Sequence, residues 1–285
     1  MNGILIINKP LGYTSHDVVN VLRKKLNLKQ IGHTGTLDPN ATGVLPILVG
    51  QATKISKYLV EHNKTYIAEL KLGEKSSTGD LEGEILETKN IPELKVDEIQ
   101  EVLKNFIGKQ EQIPPIYSAI KVNGKKAYEY ARNNQEIQLK PREIEIIDIE
   151  LIKFESNVVK YKVNCSKGTY IRTLCEQIAE KLGTVGLMQS LCRTKVNEFS
   201  VEDAIDLDKI KQEDNKNIIN KLISIEEMFK NKNTINLDNR KTELFLNGVK
   251  LTFKLKDDIY RVYNNNSFLG LGIIKDELLK RDVII

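Results

Sequence analysis

Apolar side chains recur along this chain with two different periods, and each change of period marks an element. The run Ile4–Ile7 within Met1–Lys9 predicts a short strand, ended by a turn at Gly12. Val18, Leu22 and Leu26 recur at every fourth position. That is the buried stripe of a helix over about 16–27, with Ser15 as its N-cap and Arg23, Lys24 and Lys25 beside the stripe. A Gly/Thr-rich loop runs from Gly32 to Gly43, followed by the apolar run Val44–Val49, a buried strand. Tyr66–Leu72 alternates as a half-buried strand does. Ile99, Val102, Leu103 and Phe106 place a helix over Val96–Ile107, closed by Gly108. Pro114-Pro115 stops regular structure. Val159, Tyr161, Val163 and Cys165 alternate again, and Ser166-Lys167-Gly168 turns the chain. A helix then starts near Thr169, with Ile171, Leu174, Ile178 and Leu182 as its stripe and Gly183 as its stop.

Toward the C-terminus the texture changes. The stretch 209–233 is rich in Lys and Asn and reads as a helix plus linker. After Thr234 the strands Tyr260–Tyr263 and Phe268–Ile274 face each other across Asn264–Ser267, a hairpin in a small β-rich unit. Strands do not alternate regularly with helices. The fold class is therefore α+β, with a mixed, largely antiparallel sheet and flanking helices, rather than a doubly wound parallel sheet. We expect one domain over residues 1–230 and a second over 234–285.

Composition narrows the class. With 285 residues the chain is long enough to bury a core without staples, and 29% charged residues fit a soluble fold. No apolar run approaches the roughly 18 residues of a membrane span. Three cysteines without a paired spacing argue against a disulfide framework or a zinc site and fit a reducing cytoplasm. Charge is uneven. Residues 1–60 hold seven Lys/Arg against only Asp17 and Asp38, and residues 231–285 hold ten basic against seven acidic side chains. The middle of the chain is net acidic. Charge alone leaves two readings of the basic ends: a solvated lysine-rich surface, or contact at both ends with a polyanionic partner.

The segment Gly32-His33-Thr34-Gly35-Thr36-Leu37-Asp38-Pro39-Asn40 is the one with chemistry in it. Asp38-Pro39-Asn40 suits a type I turn. Asp38 either caps that turn or is a carboxylate held in basic surroundings, kept ionised as a nucleophile or base. A phosphate-binding loop is excluded by pattern, and so is a Gly-x-Ser-x-Gly elbow. His33 and Asp38 alone are too few for a metal site.

Several separated motifs carry a family resemblance. They are Gly3-Ile4-Leu5-Ile6-Ile7-Asn8-Lys9-Pro10, the loop Gly32–Pro39 with Ala41–Pro46, and Lys64-Thr65-Tyr66. Ser77-Thr78-Gly79-Asp80, Gln112–Ala119, Gly168-Thr169-Tyr170-Ile171-Arg172 and Leu191-Cys192-Arg193-Thr194 follow in order. In these the chain resembles the bacterial tRNA pseudouridine-55 synthases, the TruB family, over residues 1 to about 200. The resemblance implies isomerisation of a flipped-out T-loop uridine, without cofactor or metal. It makes Asp38 the catalytic aspartate, attacking either ribose carbon 1′ or uracil carbon 6.

The resemblance also assigns partners to Asp38. Tyr66 stacks on the base and assists proton transfer, and Leu191 lines the base pocket. His33 enters the space left by the flipped nucleotide. Tyr170 sits beside the turn that starts the helix near Thr169, placed to border a pocket. Arg172 lies in that helix's electropositive first turn and so calls for a carboxylate, for which we expect Asp38. Lys121, Lys125, Lys126 and Arg132, interleaved with Tyr128 and Tyr130, suit loop RNA. By resemblance they belong to a segment of about 121–141 that closes over the T loop. The unit after 234 resembles a PUA-like domain and would touch the acceptor arm. Nothing demands more than a monomer. The alternative is a protein that binds structured RNA without chemistry.

Overall fold

The computed structural model describes residues 1–133 and 135–285. Asn134, inside the basic segment expected over 121–141, lies outside the described residues. The chain divides into two compact units. One comprises Met1–Asp38, Leu45–Val60 and Ala204–Ile285; the other comprises Pro39–Val44 and Glu61–Asp203.

The first unit opens with strand β1 (Gly3–Lys9) and helix α1 (Ser15–Leu26). The hydroxyl that caps α1 belongs to Thr14, not to Ser15 as the sequence suggested. Thr14 accepts from the Asp17 N–H at 3.1 Å, and Asp17 accepts in return from the Thr14 N–H at 2.9 Å. A carboxylate at the third helical position makes Thr14 the better cap, because two orphan amides are then satisfied together. The Thr14 hydroxyl also donates to the Asp17 carboxylate at 2.6 Å, and this bond, with that from the Thr14 N–H, holds the Asp17 carboxyl below the usual range. Val18, Leu22 and Leu26 are buried as the periodicity requires. They pack with Leu5 and Ile7 of β1, and with Leu207 and Ile210, into one core.

Strand β2 (Ile31–His33) pairs antiparallel with the end of β3 (Ala41–Val49). β3 therefore starts three residues before the expected run, because Ala41–Gly43 pair into the sheet too. The expected loop shrinks to residues 34–40. β1 runs parallel to residues 205–206, and Ile4 bridges to Ile223. The stretch expected as one helix plus linker holds three short helices, Leu207–Gln212, Asn215–Asn220 and Ile225–Met228.

The C-terminal β-rich part is present as read from the sequence. Asp258–Asn264 and Ser267–Lys275 form the hairpin at the centre of a five-stranded sheet. Phe245, from the helix Asn239–Leu246, is buried against Ile235, Val262 and Leu279 of that sheet. Asp282, on its strand Leu278–Ile284, accepts hydrogen bonds from Lys57 and Tyr58.

The second unit is built on strands β4 (Lys64–Leu72), β5 (Gly108–Gln112), β6 (Arg142–Glu155), β7 (Val158–Cys165) and β8 (Gly186–Val196). With the start of β3 they run in the order β3-β8-β4-β7-β6-β5. All neighbours are antiparallel except β3 and β8. Gly108 does not close the helix over Val96–Ile107. That helix, α2, ends at Lys104, and Gly108 opens β5 with φ +115. Lys121–Val122 and Lys125–Lys126 form a hairpin across Asn123-Gly124, both with positive φ. Helix α3 (Ala127–Arg132) follows, and α4 (Ile171–Lys181) packs on the sheet. No helix among the described residues is long and apolar enough to cross a membrane.

Candidate active site

Within the first unit, the residue before Asp38 is pinned. Ser15 is buried, and its hydroxyl accepts from the Leu37 N–H at 2.9 Å and bonds to the Leu37 carbonyl at 3.1 Å. Leu37 itself is buried, and the Thr34 N–H donates to the Pro46 carbonyl at 3.1 Å. The loop is thus tied at both ends of its 34–37 stretch, and Asp38 is half-buried. The buried Lys9 ammonium donates to the carbonyls of Pro10 and Tyr13 at 3.0 and 2.6 Å, closing the turn before α1. His33 ends β2, half-buried, in register with Ile47.

In the second unit, β4 alternates strictly between buried and half-buried positions. Tyr66 falls on the buried side, opposite Arg193 of β8 and Val163 of β7. Leu191 lies opposite Ala68, so Tyr66 and Leu191 are diagonal neighbours on one sheet face, a spacing of about 7–8 Å between backbones. Tyr161 shares that face and its hydroxyl meets Cys175 Sγ of α4 at 3.1 Å, which places α4 on the same side. Tyr66, Leu191 and the helix that begins after Tyr170 therefore share one face. Lys64, two residues before Tyr66, is also buried there. Burial, aided by Arg193, pushes its ammonium down to about 8.

The strand that follows the Asp38 turn is clamped by β8. Ala41–Gly43 run parallel to Leu191–Arg193, and Arg193 Nε donates to the Val44 carbonyl at 2.8 Å. A Cβ at Gly43 would lie 2.2 Å from the Arg193 carbonyl oxygen, so only glycine permits this crossing.

Arg172 is buried, not an exposed arginine pointing away from its helix. Its guanidinium donates to the carbonyls of Thr78 at 3.1 Å and Tyr117 at 2.9 Å, and lies 3.7 Å from the Asp80 carboxylate. Asp80 also accepts from Thr78 Oγ1 at 2.5 Å and from the Glu82 N–H at 3.1 Å. Asp80 is thus one carboxylate partner of Arg172 within its own unit. Arg172 and Glu176, one turn on, help line a pocket with Thr78, Gly79, Ile116 and Tyr117. Burial raises the Glu176 carboxyl, and Lys75 and Arg172 hold it partly back.

Lys121 and Lys125 stand on the two strands of the hairpin. Lys126 and Arg132 each lie 5.4 Å from the Tyr128 ring centre. Tyr130 donates to the Val122 carbonyl at 3.0 Å. Tyr128 therefore already carries two cations. Among the described residues no three His, Cys, Asp or Glu side chains gather as metal ligands.

Ser15, Asp80 and Arg193, which tie this geometry together, had no catalytic-site role in the sequence reading. Asp80 and Arg193 stand inside the motifs, but motif position alone does not say what a side chain holds.

The comparisons agree with this architecture. The family model described as TruB family pseudouridylate synthase (N terminal domain) matches residues 23–171. The model described as tRNA pseudouridylate synthase B C-terminal domain matches residues 172–229. The tRNA pseudouridine synthase B of Alkaliphilus oremlandii (strain OhILAs) is 46% identical, covering 97% of this chain and 94% of that protein. The protein of the same name from Francisella philomiragia is 40% identical, covering 100% of this chain and 97% of its own. Among solved structures, an H/ACA RNP bound to a substrate RNA containing 2'-deoxyuridine matches with TM-score 0.71. The identity is 23%, over 99% of this chain and 85% of that one. A Cbf5-Nop10-Gar1 complex matches with TM-score 0.70 and 24% identity, over 99% of this chain and 83% of that one. At such identities these two likenesses speak for the fold alone. The near full-length sequence likeness speaks for more: the chain belongs to the TruB family of pseudouridylate synthases.

Proposed function

We propose that this chain isomerises a uridine in the T loop of tRNA to pseudouridine, with Asp38 as nucleophile. The observation that carries the reading is the likeness, at 46% identity over nearly the whole chain, to a relative named tRNA pseudouridine synthase B. The target nucleotide leaves its stack, at a cost of a few kcal/mol. His33 fills the vacated space. The Asp38 carboxylate attacks ribose carbon 1′ or uracil carbon 6, and the bond between N1 and carbon 1′ breaks. The uracil turns, carbon 5 bonds to carbon 1′, the bond to Asp38 breaks and frees the carboxylate, carbon 5 loses its proton and N1 gains one. Substrate and product have the same composition, so no external oxidant or reductant is needed.

Tyr66 stacks on the base and assists the proton transfer from carbon 5. Leu191 and Tyr170 border the base, and Arg172 orients Asp38. Lys121, Lys125, Lys126 and Arg132 hold the T-arm backbone. The β-rich C-terminal part, PUA-like, contacts the acceptor arm. The enzyme works as a cytoplasmic monomer without cofactor.

The test is tritium release from a T-arm stem-loop labelled at carbon 5 of its uridines, with a chelator present. Wild type releases tritium; Asp38→Asn releases none while binding the stem-loop with affinity close to wild type. Binding without release by the wild-type chain would leave an RNA-binding protein without chemistry.

A further inference from the structure

A buried amide stands at the root of the basic segment and has no part in the chemistry so far described. Gln112 ends β5 and is only 2% exposed. Its side chain bonds twice to the main chain of Tyr170. The Tyr170 N–H donates to Oε1 at 2.8 Å, and Nε2 donates to the Tyr170 carbonyl at 3.1 Å. With donor and acceptor both engaged, the amide fixes the position and the rotation of that stretch of backbone.

Tyr170 is the N-cap of α4, and no side-chain cap bond is made there. Its carbonyl also receives the Leu174 N–H at 3.1 Å, so the contact with Gln112 bears on the first turn of the helix.

Two further bonds run the same way. Thr173 Oγ1 donates to the Ile113 carbonyl at 3.5 Å, and Arg172 Nη2 donates to the Tyr117 carbonyl at 2.9 Å. The Ser118 carbonyl in turn takes the Tyr128 N–H at 3.2 Å, at the start of α3. The stretch after Gln112 is thus strapped across the first turn of α4 and continues into the basic helix.

We propose that Gln112 is a positioning residue for the isomerisation: it sets the backbone of Tyr170, and with it the start of the helix carrying Arg172, against the root of the basic segment. This rests on the proposed reading of Tyr170 and Arg172 as facing the uridine. Gln112 touches no substrate; it acts through Tyr170.

The experiment uses the full chain and the stem-loop tritiated at carbon 5. Single-turnover rates at saturating enzyme and Kd by filter binding are measured for wild type, Asp38→Asn, Gln112→Met and Gln112→Glu. Gln112→Met has nearly the same shape but leaves the Tyr170 N–H unsatisfied. It slows the single turnover by about tenfold or more, with Kd changed by less than about threefold. Gln112→Glu accepts from the Tyr170 N–H at every pH but donates to its carbonyl only while protonated. The charged groups around that position are Arg142, opposite on β6, the neighbouring pair Glu111 and Glu143, and Arg172 and Glu176 on α4. Arg142 favours the ionised carboxyl; burial and the Tyr170 carbonyl favour the protonated one. The rate of Gln112→Glu relative to wild type therefore rises as pH falls, whereas the ratio for Gln112→Met stays flat.

A wild-type rate for Gln112→Met overturns the proposal. So does a loss of affinity as large as the loss of rate, or a flat ratio for Gln112→Glu. Melting of both variants below the assay temperature would assign Gln112 to stability alone and overturn it as well. Turnover by Asp38→Asn at the wild-type rate would instead sink the functional reading. A dead Asp38→Asn beside a fully active Gln112→Met would sink only the role of Gln112.

Discussion

The corner at Arg172 and the hairpin-helix segment at 121–132 belong to the same unit, and both carry cations toward the proposed RNA. They are held by opposite means. Arg172 sits among buried partners far away in sequence: the Thr78 and Tyr117 carbonyls, and Asp80. Lys126 and Arg132 instead lean on Tyr128, within six residues, at the surface. A buried charge is stabilised only if its surroundings are complete, so removing one member should be felt through the fold. A surface charge on an aromatic ring is worth little to the fold and is free to serve a ligand.

This contrast sets the expected effects. Arg172→Met leaves Asp80 buried without its cation and two carbonyls without their donor. We expect a loss of about 3–5 kcal/mol in urea unfolding, together with turnover; a loss below about 1 kcal/mol would make the corner no different from the surface segment. Ser15→Ala removes both bonds to Leu37. It should lower stability by about 1–3 kcal/mol and slow single turnover more than it weakens binding. Equal effects on rate and Kd would show that the pinning of the loop serves binding only.

Lys64 gives a pH signature of the buried side. Its ammonium is pushed from 10.5 down to about 8, so the unfolded chain binds more protons between those values. Stability contributed by this group therefore rises as pH climbs from about 8 toward 10.5, and its burden is fully present below 8. Wild type should gain on Lys64→Met across that window in chemical unfolding, and parallel curves would count against a charged, buried Lys64. Smallest of all are Lys126→Ala and Arg132→Ala. Each should change stability by less than about 1 kcal/mol and lower the salt dependence of tRNA binding by about one ion. An unchanged salt slope would remove them from the phosphate contacts.

How far these features could be read in advance depended on the range of their causes. The alternation of Val159, Tyr161, Val163 and Cys165 is a local consequence of the pleat, and all four are buried as it demands. Thr14 and Ser15 are adjacent hydroxyls with equal claims to cap α1. Asp17, three residues after Thr14, decides between them, because only Thr14 closes a capping box with it. Gly108 carries the signal of a helix stop equally well when it opens a strand, because positive φ serves both. Gln112 gives no periodic signal at all. A glutamine before Ile113-Pro114-Pro115 reads as solvated, and it is buried only because its partner is 58 positions away. Asp80 was visible as part of a motif, but the arginine it faces comes 92 residues later and no spacing announces it.

The discontinuity of the first unit bears on how the chain is made. Its opening stretches, Met1–Asp38 and Leu45–Val60, with the wholly buried Ile4, Leu5 and Ile7, are completed by partners that begin at Ala204. At the usual pace of translation those partners arrive about seven to thirty seconds after residue 60. Meanwhile the other unit, most of which is continuous from Glu61 to Asp203, can be synthesised and fold. In that interval β1 has β3 and α1 beside it, but one of its edges waits for residues 205–206 and its core for Leu207 and Ile210. A message cut short near residue 203 would release a product with one unit nearly whole and the other left with an open strand edge and a half-covered core, a substrate for chaperones rather than a smaller enzyme.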